Sequence, residues 1–154
     1  MSRVQLALNV GDLDASIEFY TKLFGTPPAK VRENYANFAI AEPPLKLVLI
    51  AGAGEPGTLN HVGVEVESTD EVAAAAARMQ AEGAACDVQQ ATTCCFAVLD
   101  KVWVTGPEIP WEIYTVLADA SVMLPPESSG CAPGDVAVAA PESVSIGVAP
   151  SACC

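Results

Sequence analysis

Two pairs of adjacent cysteines are the residues of this chain whose type and spacing most clearly permit chemistry. The six cysteines stand at positions 86, 94, 95, 131, 153 and 154, a pattern unlike the spaced framework of a disulfide-rich secreted domain. Cysteines that stay reduced supply thiolates, which bind soft, thiophilic elements. The pairs Cys94-Cys95 and Cys153-Cys154 therefore predict a site for such an element and a reducing, cytosolic location.

The Cys94-Cys95 pair must leave regular strand geometry if both sulfurs are to bind one atom, because neighbouring side chains on a flat strand point to opposite faces. A turn or a distorted segment would allow this. A trivalent arsenical such as methylarsenite exchanges two hydroxyls for sulfurs and keeps its carbon, so two close thiolates are able to hold it. Two alternatives stay open on the pattern alone: a pair of small buried hydrophobes, or a redox-labile vicinal disulfide.

The single histidine, His61, lies in a segment that repeats one near the N-terminus. Residues 4–10 (VQLALNV) align with residues 60–66 (NHVGVEV) at a shift of 56 positions. Both segments alternate with the strand period of two and have apolar residues at the even positions. Gln5 and His61 therefore occupy equivalent points of two predicted strands, on the opposite face.

A helix and further strands follow each repeated strand. In the first copy Asp14 is predicted to cap a helix that Gly25 ends; in the second, residues 68–71 (STDE) form a capping box and Gly83 ends the helix. The other predicted strands are residues 35–41, 45–50, 102–105 and 111–116, with short strands near 28–32 and 84–88. The pattern predicts an α+β fold made of two βαβββ modules.

The two modules, at about residues 1–55 and 57–117, are expected to pair about a pseudo-twofold axis. This pairing brings the first and last strand of each module around one half-barrel cavity. Four matched positions then face the cavity: Gln5, Lys46, His61 and Glu112.

Three of these four side chains are candidate metal ligands, because a lysine ammonium has no lone pair. One imidazole, one carboxylate and one amide oxygen leave coordination positions open, as an oxygen-activating iron requires. A lone histidine is more often a hydrogen-bonded core or surface residue, and Gln5 could instead donate to a neighbouring ligand. The matched positions favour Gln5, His61 and Glu112 as ligands, since buried Gln and Glu are costly unless they are paired.

The second module is longer than the first. Lys46 aligns with Glu112 only at a shift of 66 positions, and part of the excess falls between Gly83 and Val102. Cys94 and Cys95 lie in that stretch. They are therefore predicted to belong to a loop added to the duplicated scaffold.

Composition places these residues in a folded domain, residues 1–117, followed by a flexible tail, residues 118–154. The chain is 51% hydrophobic and 17% charged, unlike a disordered protein. The tail is rich in proline and has no lysine or arginine. Its terminal pair, Cys153-Cys154, is interpreted either as a metalloid scavenger or as a frayed end without a role.

The net charge of −12 disfavours nucleic acid and anionic membranes as partners, because both carry negative charge. No apolar run approaches the roughly 20 residues of a membrane-spanning helix, and the N-terminus lacks a secretory signal pattern. These observations favour a cytoplasmic protein that acts on a small molecule, as a monomer or a homodimer.

The sequence resembles a known superfamily over residues 1–117: the glyoxalase, bleomycin-resistance and extradiol-dioxygenase proteins, also called vicinal oxygen chelate proteins. Within it, several strings are similar to the organoarsenical carbon-arsenic lyases and the related cadmium-induced proteins. These strings are residues 4–10 (VQLALNV), 35–41 (YANFAIA), 43–49 (PPLKLVL), 59–61 (LNH), 92–97 (TTCCFA) and 101–107 (KVWVTGP).

The resemblance implies a non-haem Fe(II) enzyme that uses dioxygen to split the carbon-arsenic bond of trivalent organoarsenicals. The expected substrates are methylarsenite and reduced aromatic arsenicals, and the product is inorganic arsenite. By this analogy Cys94 and Cys95 bind the substrate, and Gln5, His61 and Glu112 bind iron. Gln5 departs from related dioxygenases, which have a second histidine, so Ni(II), Co(II) or Mn(II) could also enter the site.

Two other functions fit parts of the same pattern. A non-catalytic thiol protein would sequester cadmium or arsenite and would use Cys131, Cys153 and Cys154 as extra thiols. An antibiotic-binding or glyoxalase-like protein of the same fold would have no use for Cys94-Cys95. Turnover separates the first alternative from an enzyme, and replacing Cys95 separates the second.

Overall fold

A computed structural model of the protein describes residues 2–122. In chain order the elements of this part are β1 (Arg3–Val10), α1 (Leu13–Phe24), β2 (Lys30–Arg32), β3 (Tyr35–Ile40), β4 (Leu45–Ala51), β5 (Leu59–Glu65), α2 (Thr69–Ala81), β6 (Cys86–Cys94), β7 (Ala97–Val104) and β8 (Trp111–Asp119). The order βαβββ therefore occurs twice. The α+β class and the two predicted modules are confirmed.

All the strands of residues 2–122 form one mixed sheet that curls into a half-barrel, in the order β2-β3-β4-β1-β5-β8-β7-β6. Each module pairs its first strand with its last in parallel, β1 with β4 and β5 with β8. The two first strands, β1 and β5, pair antiparallel at the centre of the sheet. Both modules therefore close within one chain, and the strands expected around the cavity are neighbours.

The two faces of β1 are buried in different ways. Leu6, Leu8 and Val10 pack in an apolar cluster with the inner side of α1. On the other face Gln5 and Asn9 are buried polar residues, and Ala7 joins a cluster that contains both Cys94 and Cys95. A sheet covered by helices on one side thus has a second, partly polar interior on the other side.

The ends of the helices follow local sequence signals with one correction. Asp12, not Asp14, caps α1: its side chain accepts a hydrogen bond of 2.9 Å from the Ala15 amide, and Asp14 lies in the first turn, where the helix dipole favours an acidic residue. Ser68 caps α2 as predicted, and Gly83 follows its end with a φ of 75°. Neither helix of residues 2–122 is long and apolar enough to cross a membrane.

The extra residues of the second module do not form the predicted loop. They lengthen a hairpin: β6 has 9 residues, whereas β2, its counterpart in the first module, has 3. Cys94 pairs with Ala97 at the end of the β6–β7 ladder, so a two-residue turn, Cys95-Phe96, connects the strands. The longer strands are stabilised by ladder hydrogen bonds between β6 and β7. The prediction missed them because it relied on alternation of apolar and polar residues.

The last strand, β8, continues to Asp119, two residues into the segment that the sequence assigned to the tail. Residues 118 and 119 pair with β7. Residues 123–154 of the predicted tail lie outside the described residues. Its cysteines, Cys131, Cys153 and Cys154, lie there too.

Candidate active site

The strand register explains how side chains distant in sequence meet. Across the sheet, Lys46 pairs with Gln5, Gln5 with Gly63, and Gly63 with Glu112. His61 pairs with Ala7, one step along the same face. The four matched positions predicted from the repeat therefore lie on two adjacent rows of one face.

Gly63 occupies the space between Gln5 and Glu112 in this row. A Cβ atom at residue 63 would lie 3.3 Å from Gln5 Nε2 and 3.2 Å from the backbone oxygen of Glu112. Both distances are tighter than ordinary contacts of that kind. A glycine at this position thus lets the Gln5 side chain cross the strand and reach its two partners.

Gln5, His61 and Glu112 converge on one point. Gln5 Nε2 lies 2.9 Å from His61 Nε2 and 3.4 Å from Glu112 Oε2. His61 Nε2 and Glu112 Oε2 are 3.6 Å apart. All three residues are at most 4% exposed, so a buried amide nitrogen stands between two atoms that have lone pairs.

The setting of His61 favours the neutral form of its imidazole. Burial lowers its pKa; the nearby Glu112 carboxylate raises it and the Lys101 ammonium lowers it further, with burial the largest cause. A neutral imidazole has one ring nitrogen with a lone pair, which a metal ion requires. The ring also packs edge-on against Trp103, with the centroids 5.2 Å apart.

Lys101 is the residue of this site that sequence reasoning missed. Its side chain is fully buried, and Nζ lies 3.2 Å from Glu112 Oε1 and 5.2 Å from the centre of the Trp103 ring. A lysine within the apolar run of β7 (AVLDKVWV) was the available signal, because a buried lysine needs a partner. The ammonium holds one carboxylate oxygen and leaves the other toward His61 and Gln5.

Tyr114 orients the amide of Gln5. Its hydroxyl donates a hydrogen bond of 2.6 Å to Gln5 Oε1. Burial is the largest cause that raises the pKa of Tyr114, and the carboxylates of Glu65 and Glu112 add to it, so the phenol keeps its proton. The sequence had placed Tyr114 on the same strand face as Glu112, and both side chains line the cavity described below.

These side chains fit a divalent cation. A neutral imidazole, a carboxylate and an amide supply nitrogen and oxygen donors of the kind that Fe(II) and Mn(II) accept. Rotation of the Gln5 amide by a half turn would point Oε1 at the convergence point and Nε2 at the Tyr114 oxygen. Within residues 2–122 no group of three or more His, Cys, Asp or Glu side chains could hold a metal ion, and the donor set described here includes an amide.

Cys94 and Cys95 lie at the tip of the long hairpin. Their sulfur atoms are 2.9 Å apart and are not joined by a disulfide bond. Cys95 and Phe96 have φ angles of 55° and 61°, the left-handed conformation that both residues of a type I′ turn require. This turn is the departure from strand geometry that the sequence demanded of two cooperating thiols. Both cysteines also belong to the buried apolar cluster.

Contacts from the first module hold this turn. Lys30 Nζ donates to the backbone oxygen of Phe96 at 3.0 Å and forms an ion pair with Asp119 at 2.5 Å. The ring of Tyr35 packs on Phe96 with the centroids 5.5 Å apart. The turn that bears the thiols is therefore fixed to β2 and β3 across the cavity.

One cavity of about 150 Å³ lies between the Cys95 thiol and two of the converging side chains, Gln5 and Glu112. Cys95, Gln5, Glu112 and Tyr114 are among the residues that line it. Lys46, the fourth matched position, lines it too, with Nζ 3.7 Å from Glu65 Oε2 and 4.9 Å from the centre of the Tyr114 ring. His61 contacts Gln5 and Glu112 from the adjoining row. Gln5, Lys46, Glu112 and Cys95 of the thiol turn therefore surround one space, and His61 adjoins it through Gln5 and Glu112.

The chain belongs to the glyoxalase/bleomycin resistance protein/dioxygenase superfamily, whose pattern its residues 3–102 match. It is 62% identical, over 133 residues, to the trivalent organoarsenical cleaving enzyme of Thermomonospora curvata, covering 85% of this chain and 88% of that protein. It is 54% identical, over 150 residues, to the cadmium-induced protein CadI of Mycobacterium tuberculosis, covering 91% of this chain and 99% of that protein.

Solved structures share the fold at lower identity. An extradiol ring-cleaving dioxygenase from B. fuscum superposes with a TM-score of 0.56 at 22% identity, covering 77% of this chain and 34% of that one. A Mn(II)-bound glyoxalase from Novosphingobium aromaticivorans superposes with a TM-score of 0.55 at 21% identity, covering 80% of this chain and 43% of that one. These similarities establish the architecture.

Proposed function

We propose that this protein cleaves the carbon-arsenic bond of trivalent organoarsenicals, in a reaction that depends on Fe(II) and dioxygen and releases inorganic arsenite. Methylarsenite and reduced aromatic arsenicals are the proposed substrates. The observation that supports this most directly is the shared cavity. Cys95, from the pair of adjacent thiols, and two of the three candidate metal ligands, Gln5 and Glu112, line the same small space.

Cys94 and Cys95 are the proposed substrate-binding residues. Each thiol forms a sulfur-arsenic bond and displaces one hydroxyl of the arsenical, which leaves as water with the thiol proton. The arsenic keeps its carbon substituent and its oxidation state. Sulfur atoms already 2.9 Å apart need little rearrangement to share one arsenic, and a turn held by Lys30 limits the directions in which the carbon can point.

Gln5, His61 and Glu112 are the proposed ligands of the metal. When bound, Fe(II) would supply the activation of dioxygen that no side chain here offers. Lys101 holds the far oxygen of Glu112, Tyr114 holds the Gln5 amide, and burial keeps His61 neutral. The surroundings thus fix His61 and Glu112 and keep bulk water away from them. The Gln5 amide would have to turn over, so that Oε1 replaces Nε2 at the convergence point, before it could bind the metal.

Similarity to named proteins supports the same reaction. The Thermomonospora relative is named a trivalent organoarsenical cleaving enzyme, and a protein of Bacillus subtilis named as a probable enzyme of that kind is 36% identical over 140 residues. Reduced vicinal thiols also need a reducing compartment. We therefore place the protein in the cytoplasm, with the domain that ends with β8 at Asp119 as the catalytic part and a tail beyond it that is not required for turnover.

The test begins with purified protein that is loaded with Fe(II) under anaerobic conditions. Oxygen and methylarsenite are then admitted, and arsenic species are separated by chromatography with elemental detection. We expect inorganic arsenite to accumulate over many turnovers. His61→Ala and Glu112→Ala should abolish its release and leave methylarsenite binding intact, because the thiols are unchanged.

Cys95→Ser should abolish binding of methylarsenite, since one thiol cannot chelate it. Cys86→Ser is the matched control: Cys86 is a partly buried thiol in β6 that does not line the cavity, so binding and turnover should stay as in the wild type. Turnover by Cys95→Ser at the wild-type rate would contradict the assigned role of the thiols. Turnover without added or bound Fe(II) would contradict the metal requirement.

A second candidate is a non-catalytic protein that sequesters arsenite or cadmium through thiols. The 54% identity to CadI, whose name states that cadmium induces it, favours this alternative. Such a protein would bind stoichiometrically and release no arsenite from methylarsenite. Replacing Cys131, Cys153 and Cys154 by serine should then sharply reduce its capacity, whereas the enzyme should tolerate their loss.

A further inference from the structure

We propose that a chain of hydrogen bonds fixes the imidazole of His61 with its proton on Nδ1, so that Thr58, Asn9 and Asn60 are positioning residues for this ligand. The chain starts at the backbone carbonyl of Glu55 and ends at the His61 ring. Its consequence for metal binding rests on the proposed function. The tautomer itself can be measured without any metal.

The direction of the chain is set by its first member. The backbone oxygen of Glu55 can only accept, and the Thr58 hydroxyl lies 2.6 Å from it. The Thr58 hydroxyl therefore donates its one proton to that carbonyl, and its oxygen can accept a hydrogen bond from another donor. Asn9 Nδ2 donates to this Thr58 oxygen at 2.9 Å.

The same logic passes through two amides to the ring. With its nitrogen toward Thr58, Asn9 turns Oδ1 toward Asn60 and accepts from Asn60 Nδ2 at 3.0 Å. Asn60 then presents Oδ1 to His61 Nδ1 at 2.8 Å. An amide oxygen only accepts, so Nδ1 must hold the proton.

A β-bulge explains why two neighbouring residues can make the last contact. Opposite β1, Ala7 pairs with His61 but Leu8 pairs with Leu59, so Asn60 is the extra residue of the bulge. A bulge re-aims a side chain that strict alternation would send to the other face. Asn60 can therefore reach the ring of its own neighbour.

The surrounding backbone leaves Asn9 little freedom. The backbone N–H of Asn9 donates to the backbone oxygen of Thr58, and the backbone oxygen of Asn9 accepts from the N–H of Gly57, each at 2.9 Å. A Cβ atom at residue 54 would lie 2.7 Å from Asn9 Nδ2, so Gly54 allows the turn to close over this side chain. Asn9 is only 5% exposed.

The tautomer decides which nitrogen faces the convergence point with a lone pair. A neutral ring protonated at Nδ1 has its lone pair on Nε2, the atom that faces Gln5 and Glu112. The other tautomer would set an N–H against the Gln5 amide nitrogen and a lone pair against the Asn60 oxygen. The chain of hydrogen bonds thus prepares Nε2 to bind a metal ion.

The first experiment uses the metal-free, untagged wild-type protein, in which His61 is the single histidine of the sequence. The two ring nitrogens of ¹⁵N-labelled protein are assigned by long-range ¹H–¹⁵N NMR at about pH 8, where an imidazole is neutral. We expect a protonated nitrogen at Nδ1 and an unprotonated one at Nε2. Protonation at Nε2, or a rapid average of both tautomers, would overturn the proposal.

The second experiment removes members of the chain. Asn60→Leu deletes the acceptor, and we expect an average of the two tautomers and an Fe(II) affinity lower by about 10- to 100-fold, the usual effect of losing a partner of a ligand. Affinity is measured anaerobically by competition with a chromophoric chelator. An Asn60→Leu protein that is folded and has the wild-type tautomer and affinity would overturn the proposal.

Thr58→Val tests the distant end of the chain, with Thr26→Val as its matched control. Both hydroxyls donate to a backbone carbonyl, but Thr26 bonds to Phe24 at the end of α1. Thr58→Val should mix the tautomers and Thr26→Val should not. If both variants keep the wild-type tautomer, the role of Thr58 and Asn9 is overturned.

The design separates this proposal from the proposed function. A wild-type protein with the proton on Nδ1 that does not bind Fe(II) would overturn the metal site and leave the tautomer assignment standing. A protein that binds Fe(II) and turns over, but has the His61 proton on Nε2 when metal-free, would overturn the tautomer assignment and leave the proposed function standing.

Discussion

The buried pair of Lys101 and Glu112 determines the charge of the site. The Lys101 side chain is fully buried and that of Glu112 nearly so, and Nζ of Lys101 lies 3.2 Å from Oε1 of Glu112. His61 is a further titratable side chain, 3.6 Å from the second carboxylate oxygen of Glu112. Such pairs add little stability compared with apolar residues, but removing one member leaves a buried charge exposed to an apolar interior.

Lys101→Met is expected to lower the free energy of unfolding by about 3 to 5 kcal/mol, because the Glu112 carboxylate loses its partner. Urea denaturation of the metal-free protein measures the loss. Added Fe(II), under anaerobic conditions, should recover part of it, since the cation replaces the missing positive charge. Lys22→Met is the control: Lys22 pairs with Glu18 on the exposed surface of α1 and should change stability little. Equal effects of the two variants would contradict the argument.

At the scale of elements, the β6–β7 hairpin presents the thiols at a cost. Cys95 and Phe96 both have positive φ angles, although neither is a glycine. This left-handed conformation costs roughly 1 to 2 kcal/mol for each residue. Contacts made by Lys30 and Tyr35 offset this cost. Strain held by surrounding contacts is common where a backbone must present a functional group in one direction.

Lys30→Met should weaken methylarsenite binding by up to about 10- to 150-fold, which corresponds to the roughly 1.5 to 3 kcal/mol of a lost hydrogen bond to a charged group. The turn would be free to relax and separate the sulfurs. Equilibrium dialysis with arsenic detection measures the affinity, and Lys22→Met again serves as the control. The Fe(II) affinity of Lys30→Met should equal that of the wild type; a parallel loss of both affinities would show that Lys30 acts on the whole cavity instead.

At the scale of the whole molecule, polar contacts fasten the two modules together beside the central strands. Glu65 of the second module accepts a hydrogen bond of 2.7 Å from Arg3 and lies 3.7 Å from Lys46, both in the first module. Burial alone would raise the pKa of Glu65, but the hydrogen bond from Arg3 and the charges of both partners hold it below its ordinary value of 4.5. The pair of cations therefore stabilises the ionised carboxylate in the folded state.

Glu65→Gln should destabilise the protein at neutral pH by about 1.5 to 3 kcal/mol, the effect of losing a hydrogen bond between charged groups. Because the folded pKa lies below the unfolded one, the contribution of Glu65 is present above pH 4.5 and is lost as the pH falls through the folded value. The difference between variant and wild type should therefore shrink in acid. Urea unfolding at several pH values tests this, with Glu18→Gln as a surface control; a difference that does not depend on pH would contradict it.

The repeat and its alternation of apolar and polar residues were enough to predict the two modules and the matched positions of the site. The shift of 56 residues placed Gln5 and His61 at matched points, and the period of two put Glu112 and Tyr114 on one face. These inferences succeed because strand geometry fixes which face a side chain takes, whatever the rest of the chain does. The expected departure from strand geometry is confirmed at Cys95, which lies in the turn, whereas Cys94 is the last residue of β6.

Only the tertiary structure decided what depends on pairing between distant strands. The partner of Lys101, the glycine gap at residue 63 and the bulge that turns Asn60 toward His61 follow from register, and register is a property of two strands together. The extra segment formed a longer hairpin instead of a loop because ladder bonds and packing on the cavity outweighed its weak local pattern. Local sequence determines which face of a strand a side chain takes and where a helix ends. Which side chains of the two modules contact each other is determined by strand pairing in the complete sheet.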